Sequence, residues 1–163
     1  MSIASKFDSF FYLLENTDVL GAINKKEFPD AFHHFEAFGY KEFRQPNQLF
    51  DPTYYSSSNP DVVDAINAGL FTHAFEHYQL YGETENRYPS PAFEGFDPEF
   101  YLLLNPDVDA AVKAGFFDSA LHHFIDFGQN EGRLGGIASG KTFNLTVGKD
   151  DLVGTSASDT FVA

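Results

Sequence analysis

Three histidines, His34, His77 and His123, occupy the same place in three copies of one sequence unit. An imidazole can serve as a base, a metal ligand or a neutral hydrogen-bonding group. Two of the three stand in pairs, His33-His34 and His122-His123. Adjacent residues on a helix point about 100° apart, so such a pair cannot close on one ion as an i, i+4 pair does. The expected role is structural: a part-buried imidazole bonded to a backbone carbonyl or to an adjoining unit. Glu42, Glu85 and Glu131 recur with Arg44, Arg87 and Arg133 two residues on. Three copies of a catalytic dyad would be odd, whereas an arginine–carboxylate pair makes directional bonds that could pin the end of each unit to its neighbour. Asp8, Asp51, Asp97, Asp18, Asp61 and Asp107 fall at helix starts, where a carboxylate meets unpaired N–H groups. Oxygen ligands dense enough for calcium occur only at Asp150, Asp151 and Asp159. Most tyrosines sit at helical spacing and belong to the core. Tyr40 and Tyr88, with the stretch around Phe93 and Phe96, are expected at the surface, where tyrosine rings could stack on sugars. There is no glycine-rich phosphate loop, no Ser/His/Asp order and no other enzyme motif, so the expectation is a chain without catalysis.

The elements that must position these residues follow from the repeat. Residues 7–44, 50–87 and 96–133 align without gaps, and thirteen positions hold the same residue in all three copies. The second copy punctuates into three short helices. Asp51-Pro52 and Asn59-Pro60-Asp61 each read as a cap followed by proline at the first helical position. The second helix presents Val62, Ala65 and Ile66 and stops at Gly69. Thr72 is expected to cap a third helix, which carries Ala74, Phe75, Tyr78 and Tyr81 on one side and ends at Gly82. The third copy reads alike, with Asp118 in the place of Thr72. In the first copy Ser9 and Thr17 replace the prolines, Lys26 replaces the mid-unit glycine, and Pro29 stands where a cap is expected. Terminal repeats often deviate because one face meets water.

These patterns predict an all-α fold, with three tandem three-helix repeats packed as one domain over residues 1–134. Residues 135–141 read as a glycine-rich linker and 142–163 as a β-prone tail. In the tail Thr142–Val147 alternates as a strand, and Phe161-Val162 begins another. So short a strand is not stable alone, and the tail is expected to open a further domain.

Composition narrows the function. The chain has 43% hydrophobic and 17% aromatic residues, a globular make-up, and 24 acidic against 10 basic residues, a net charge of −14. That charge opposes unaided binding to nucleic acid or to an anionic membrane. Cysteine is absent, which removes disulfides, zinc–thiolate sites and cysteine nucleophiles. No apolar run approaches the roughly 20 residues of a membrane span, and the N-terminus lacks the pattern of a signal peptide.

The unit Phe-Asp-Pro-x-Tyr-Tyr … Asn-Pro-Asp-Val … Ala-Gly-x-Phe … Ala-Phe-x-His-Tyr … Tyr-Gly … Glu-x-x-Arg resembles short helical repeats of bacterial secreted proteins, prominent in cyanobacterial and proteobacterial surface proteins. The tail, Phe143-x-Leu145-Thr146-x-Gly148-x-Asp150 … Gly154-Thr155-x-x-x-Asp159-Thr160-Phe161, is similar to a segment of S-layer and haemolysin-type calcium-binding proteins, although the calcium nonapeptide Gly-Gly-x-Gly-x-Asp is absent. The resemblance implies an extracellular or cell-surface protein, exported by type I secretion without an N-terminal signal. It implies a non-catalytic anchoring or assembly module that binds envelope polysaccharide. An anionic polysaccharide would need a divalent cation, naturally calcium, to bridge it to a chain of this charge. The alternative is a protein–protein interaction or self-assembly module that binds no glycan.

Overall fold

The computed structural model describes residues 1–136, 142–144 and 160–162. The repeats are all-α, as the punctuation predicts. The first holds α1 (Ser9–Glu15), α2 (Thr17–Asn24) and α3 (Ala31–His34). The second holds α4 (Pro52–Ser58), α5 (Pro60–Asn67) and α6 (Ala74–His77). The third holds α7 (Pro98–Leu104), α8 (Pro106–Lys113) and α9 (Ala120–His123). Each third helix continues directly into a wider π turn, at Phe35–Gly39, Tyr78–Gly82 and Phe124–Gly128. In the tail Thr142–Asn144 (β1) pairs in parallel with Thr160–Val162 (β2). Asp150, Asp151 and Asp159 lie outside the described residues. The chain divides into two compact units, Met1–Glu94 with the first two repeats and Gly95–Ala163 with the third.

Local chemistry starts and stops the helices. Asp8, Asp51 and Asp97 cap the first helices by accepting backbone N–H groups of the first turn at 2.9–3.0 Å. The third helices are capped one residue later than the sequence suggests. Asp30, His73 and Ser119 accept the N–H of the third residue on, not Pro29, Thr72 or Asp118. The second helix of repeat two ends with Gly69 at φ +76°; the Leu70 and Gly69 amides bond back to the Ala65 and Ile66 carbonyls, which is a Schellman closure. Lys26 makes the same closure in repeat one at φ +64°.

Each repeat closes on itself. The backbone N–H of Asp8 donates to the Pro46 carbonyl, that of Asp51 to Pro89 and that of Asp97 to Gly135, at 2.8–2.9 Å. Inside, a triangle of aromatic rings forms the core: Phe7, Tyr12 and Phe35, then Phe50, Tyr55 and Tyr78, then Phe96, Tyr101 and Phe124. Their centroids are 4.9–5.8 Å apart. Val19, Val62 and Val108, with Ala31, Ala74 and Ala120, are buried around them. Phe93 and Phe96, expected at the surface, are buried, because the segment from Ser90 makes a tight 3-10 turn at Pro91–Phe93 before α7.

Candidate functional site

The repeated polar residues form one network, built three times. The hydroxyl of Tyr12 bonds to His34 Nδ1 at 3.0 Å; Tyr55 does the same with His77 at 3.0 Å and Tyr101 with His123 at 2.8 Å. Burial pushes Tyr12 and Tyr101 up to about 12 and raises Tyr55 further. Burial also lowers the three imidazoles below their ordinary value. Each pair is therefore neutral near pH 7. The imidazole stands edge-on to an aromatic ring, Phe28, Phe71 or Phe117, at 4.8–4.9 Å. A Cβ at Gly39, Gly82 or Gly128 would overlap the tyrosine hydroxyl of its own repeat. The π turn brings His34 and Gly39, five residues apart, to that one hydroxyl.

Beside this pair runs an arginine clamp. Asn16 Nδ2 donates to the Tyr12 carbonyl at 2.7 Å, and its Oδ1 accepts from Arg44 Nη1 at 2.8 Å. Arg44 also grips both oxygens of Asp18 at 2.8 and 2.9 Å and Glu42 at 2.5 Å. Arg87 and Arg133 repeat these bonds with Asn59, Asp61 and Glu85, and with Asn105, Asp107 and Glu131. The arginine hydrogen bonds hold Asp18, Asp61 and Asp107 below the usual carboxylate range, and those carboxylates raise the arginines.

Three expectations are corrected here. The Glu–Arg pairs tie the end of each repeat to the second helix of the same repeat, not to its neighbour, because each Arg backbone folds back through a π-type bond to its own Gly39, Gly82 or Gly128 carbonyl. The histidines meet a tyrosine of their own repeat, not a backbone carbonyl or an adjoining unit. Asn16, Asn59 and Asn105 stand at helix starts, yet their side chains do not cap; they are engaged by the arginines.

Within Met1–Glu94 the first two repeats are joined by residues that the repeat alignment passed over. His73 Nδ1 accepts the Glu76 amide, so its Nε2 carries the proton and donates to Glu36 at 3.2 Å. Asn47 donates to the Ala4 and Lys6 carbonyls at 2.8 Å and accepts from the amides of Leu49 and Phe50. The buried Glu83 accepts the Ser2 amide on both oxygens at 2.9 and 3.0 Å. None of these residues recurs at its position in the other copies, so only a contact between repeats could reveal them.

A groove of about 250 Å³ lies along this junction, walled by Phe35, Tyr40, Phe43, Val63, Ile66 and Phe75, with Lys41, Ser56, Asn67 and Thr72 also lining it. Tyr40 thus lines a concave site and is half-buried against His73, ring centroids 4.9 Å apart. Tyr88 is half-buried too and does not line the groove. Among the described residues no helix is long and apolar enough to cross a membrane. Comparison of the chain with family models, with curated proteins and with solved structures gave no match.

Proposed function

We propose that the chain is a non-catalytic assembly module of a cell-surface or secreted protein, joining copies of itself or of a neighbouring surface protein through the outer faces of its repeats. One observation carries the reading. The repeated polar residues are spent inside each repeat, while the first helices of the end repeats expose apolar side chains. Phe10 is 79% exposed and Leu14, Leu103 and Leu104 are at least half exposed. The matching positions of the middle repeat are Thr53, Ser57 and Ser58. Phe10 and Leu14 stand one turn apart on α1 and Leu103 and Leu104 side by side on α7, and apolar side chains grouped in water, unlike scattered ones, mark an interaction face. Self-repulsion at −14 opposes association between copies. Sedimentation equilibrium tests the proposal: the mass should rise with concentration in the micromolar-to-millimolar range, and more steeply as salt screens the charge. A single-chain mass throughout, at low and high salt, would contradict it.

Attachment to an envelope polysaccharide through a calcium bridge is the second reading. It rests on the resemblance and on Tyr40, whose ring lines a groove suited to stacking. Co-sedimentation with stripped envelope is the test. Retention in calcium and release in EGTA would support the bridge, and no retention in either would remove it.

A further inference from the structure

We infer that the groove between the first two repeats is a binding site for an anion with a flat apolar body, an aryl carboxylate in its simplest form. The inference does not depend on the assembly reading.

Three residues of the site belong to repeat one alone. Tyr40, Lys41 and Phe43 correspond to Glu83, Thr84 and Asn86 in repeat two and to Gln129, Asn130 and Gly132 in repeat three. The repeat scaffold therefore does not demand them. Phe43 is the most telling. Its φ is +55°, in the left-handed region, as is that of Asn86 at +55° and Gly132 at +69°. Asparagine and glycine adopt this conformation readily; a bulky aromatic residue there is a strained outlier. Folding gains little from the ring in return, because Phe43 remains 55% exposed. A strained backbone that holds an aromatic ring at the edge of a groove is the kind of cost found at binding sites.

The groove suits such a ligand in size and in charge. Its volume is about 250 Å³, and an apolar protein cavity of about 150 Å³ already takes up benzene. Phe43, Val63, Ile66 and Phe75 supply apolar wall, and Tyr40 adds a second aromatic face. The Lys41 ammonium sits 5.3 Å from the Tyr40 ring centroid and donates to the Ala37 carbonyl. No carboxylate pairs with it among the described residues, whereas Arg44 is held by Asp18 and Glu42. An unpaired cation beside an aromatic-walled groove selects an anionic partner over a neutral one at short range, against the repulsion of a chain of net charge −14.

The test is an NMR titration of the isotope-labelled whole chain with 2-naphthoate and with its uncharged amide. The expected result is saturable one-to-one binding with shifts centred on Lys41, Phe43, Val63 and Ile66. The carboxylate should bind about two- to fivefold more tightly than the amide, the size of one exposed charge pair. Phe43→Gly should weaken binding about tenfold or more while leaving the chain at least as stable, because glycine fits the left-handed turn. Phe43→Asn, the residue of repeat two, should behave alike. Lys41→Gln should reduce the carboxylate to the affinity of the amide. Full binding by Phe43→Gly, equal affinity for acid and amide, or shifts centred elsewhere would overturn the assignment. So would groove shifts that follow protein concentration alone, which would make the occupant a second copy of the chain.

Discussion

The Tyr12 hydroxyl lies between His34 Nδ1 and the backbone of Gly39, so three repeated residues depend on one oxygen atom. Gly39→Ala places a methyl group on that oxygen and should destabilise the chain by about 1–3 kcal/mol, as overpacking does. Tyr12→Phe removes the oxygen but strands a buried imidazole, at about 1–3 kcal/mol. Because the clash needs the hydroxyl, the double variant should lose clearly less than the sum of the two; urea unfolding of the four proteins measures this. The same site sets the acid limit. His34, His77 and His123 have lowered values in the folded chain, whereas an unfolded imidazole titrates near ~6.5. The unfolded state therefore takes up protons first as pH falls. The stabilisation is complete above ~6.5 and is lost as pH drops through the lowered folded values. The carboxylates Asp18, Asp61 and Asp107 are also lowered. Their contribution is present above the unfolded value of ~3.9 and is lost as pH falls through the folded values. The thermal midpoint should be level between about pH 7 and about pH 9 and fall below about 6.5, and replacing all three histidines with glutamine should flatten that first decline. A midpoint unchanged from neutral pH to pH 5 would contradict the assignment.

At the scale of the elements, helix punctuation was the most legible part of the sequence. Asp-Pro starts, the mid-unit glycine stop and the apolar spacing act within one or two turns, so local physics is enough to place them. The features that escaped depend on residues far along the chain. An asparagine before a proline looks like a cap, and only Arg44, 28 positions on, claims its side chain. The π turn has no residue signature, since it arises from fitting His34 and Gly39 to one hydroxyl. His73, one residue past the expected cap Thr72, caps α6 with Nδ1 while its Nε2 meets Glu36 of the previous repeat. The groove was legible only in Tyr40; the strain at Phe43 shows in a backbone angle, not in a residue type. Lys26 offers a test of the punctuation itself. It occupies the left-handed closing position that Gly69 and Gly115 fill in the other repeats, at φ +64° against +76° and +78°. Lys26→Gly should stabilise the chain by about 1 kcal/mol, read as a higher urea midpoint with unchanged slope. A loss of stability would mean that the lysine side chain makes a compensating contact.

For the whole molecule, the closure of each repeat through Asp8 to Pro46 and its counterparts separates scaffold from surface. The internal network is the same three times, whereas the outer face of the first helix is apolar in repeats one and three and polar in repeat two. That division underlies the assembly proposal, in which the repeats provide equivalent bodies and the exposed apolar residues of α1 and α7 would provide adhesion. The all-α repeat was readable because thirteen identical positions record the network directly. The outer faces were not, because exposure depends on how α1 and α7 are turned by their packing. The most direct test replaces Phe10, Leu14, Leu103 and Leu104 together with serine. The account predicts that sedimentation equilibrium will show association weakened about tenfold or more relative to the unaltered chain, with the thermal midpoint hardly changed, since these side chains already face water. Undiminished association in this variant would show that the exposed faces of α1 and α7 are not what joins the molecules.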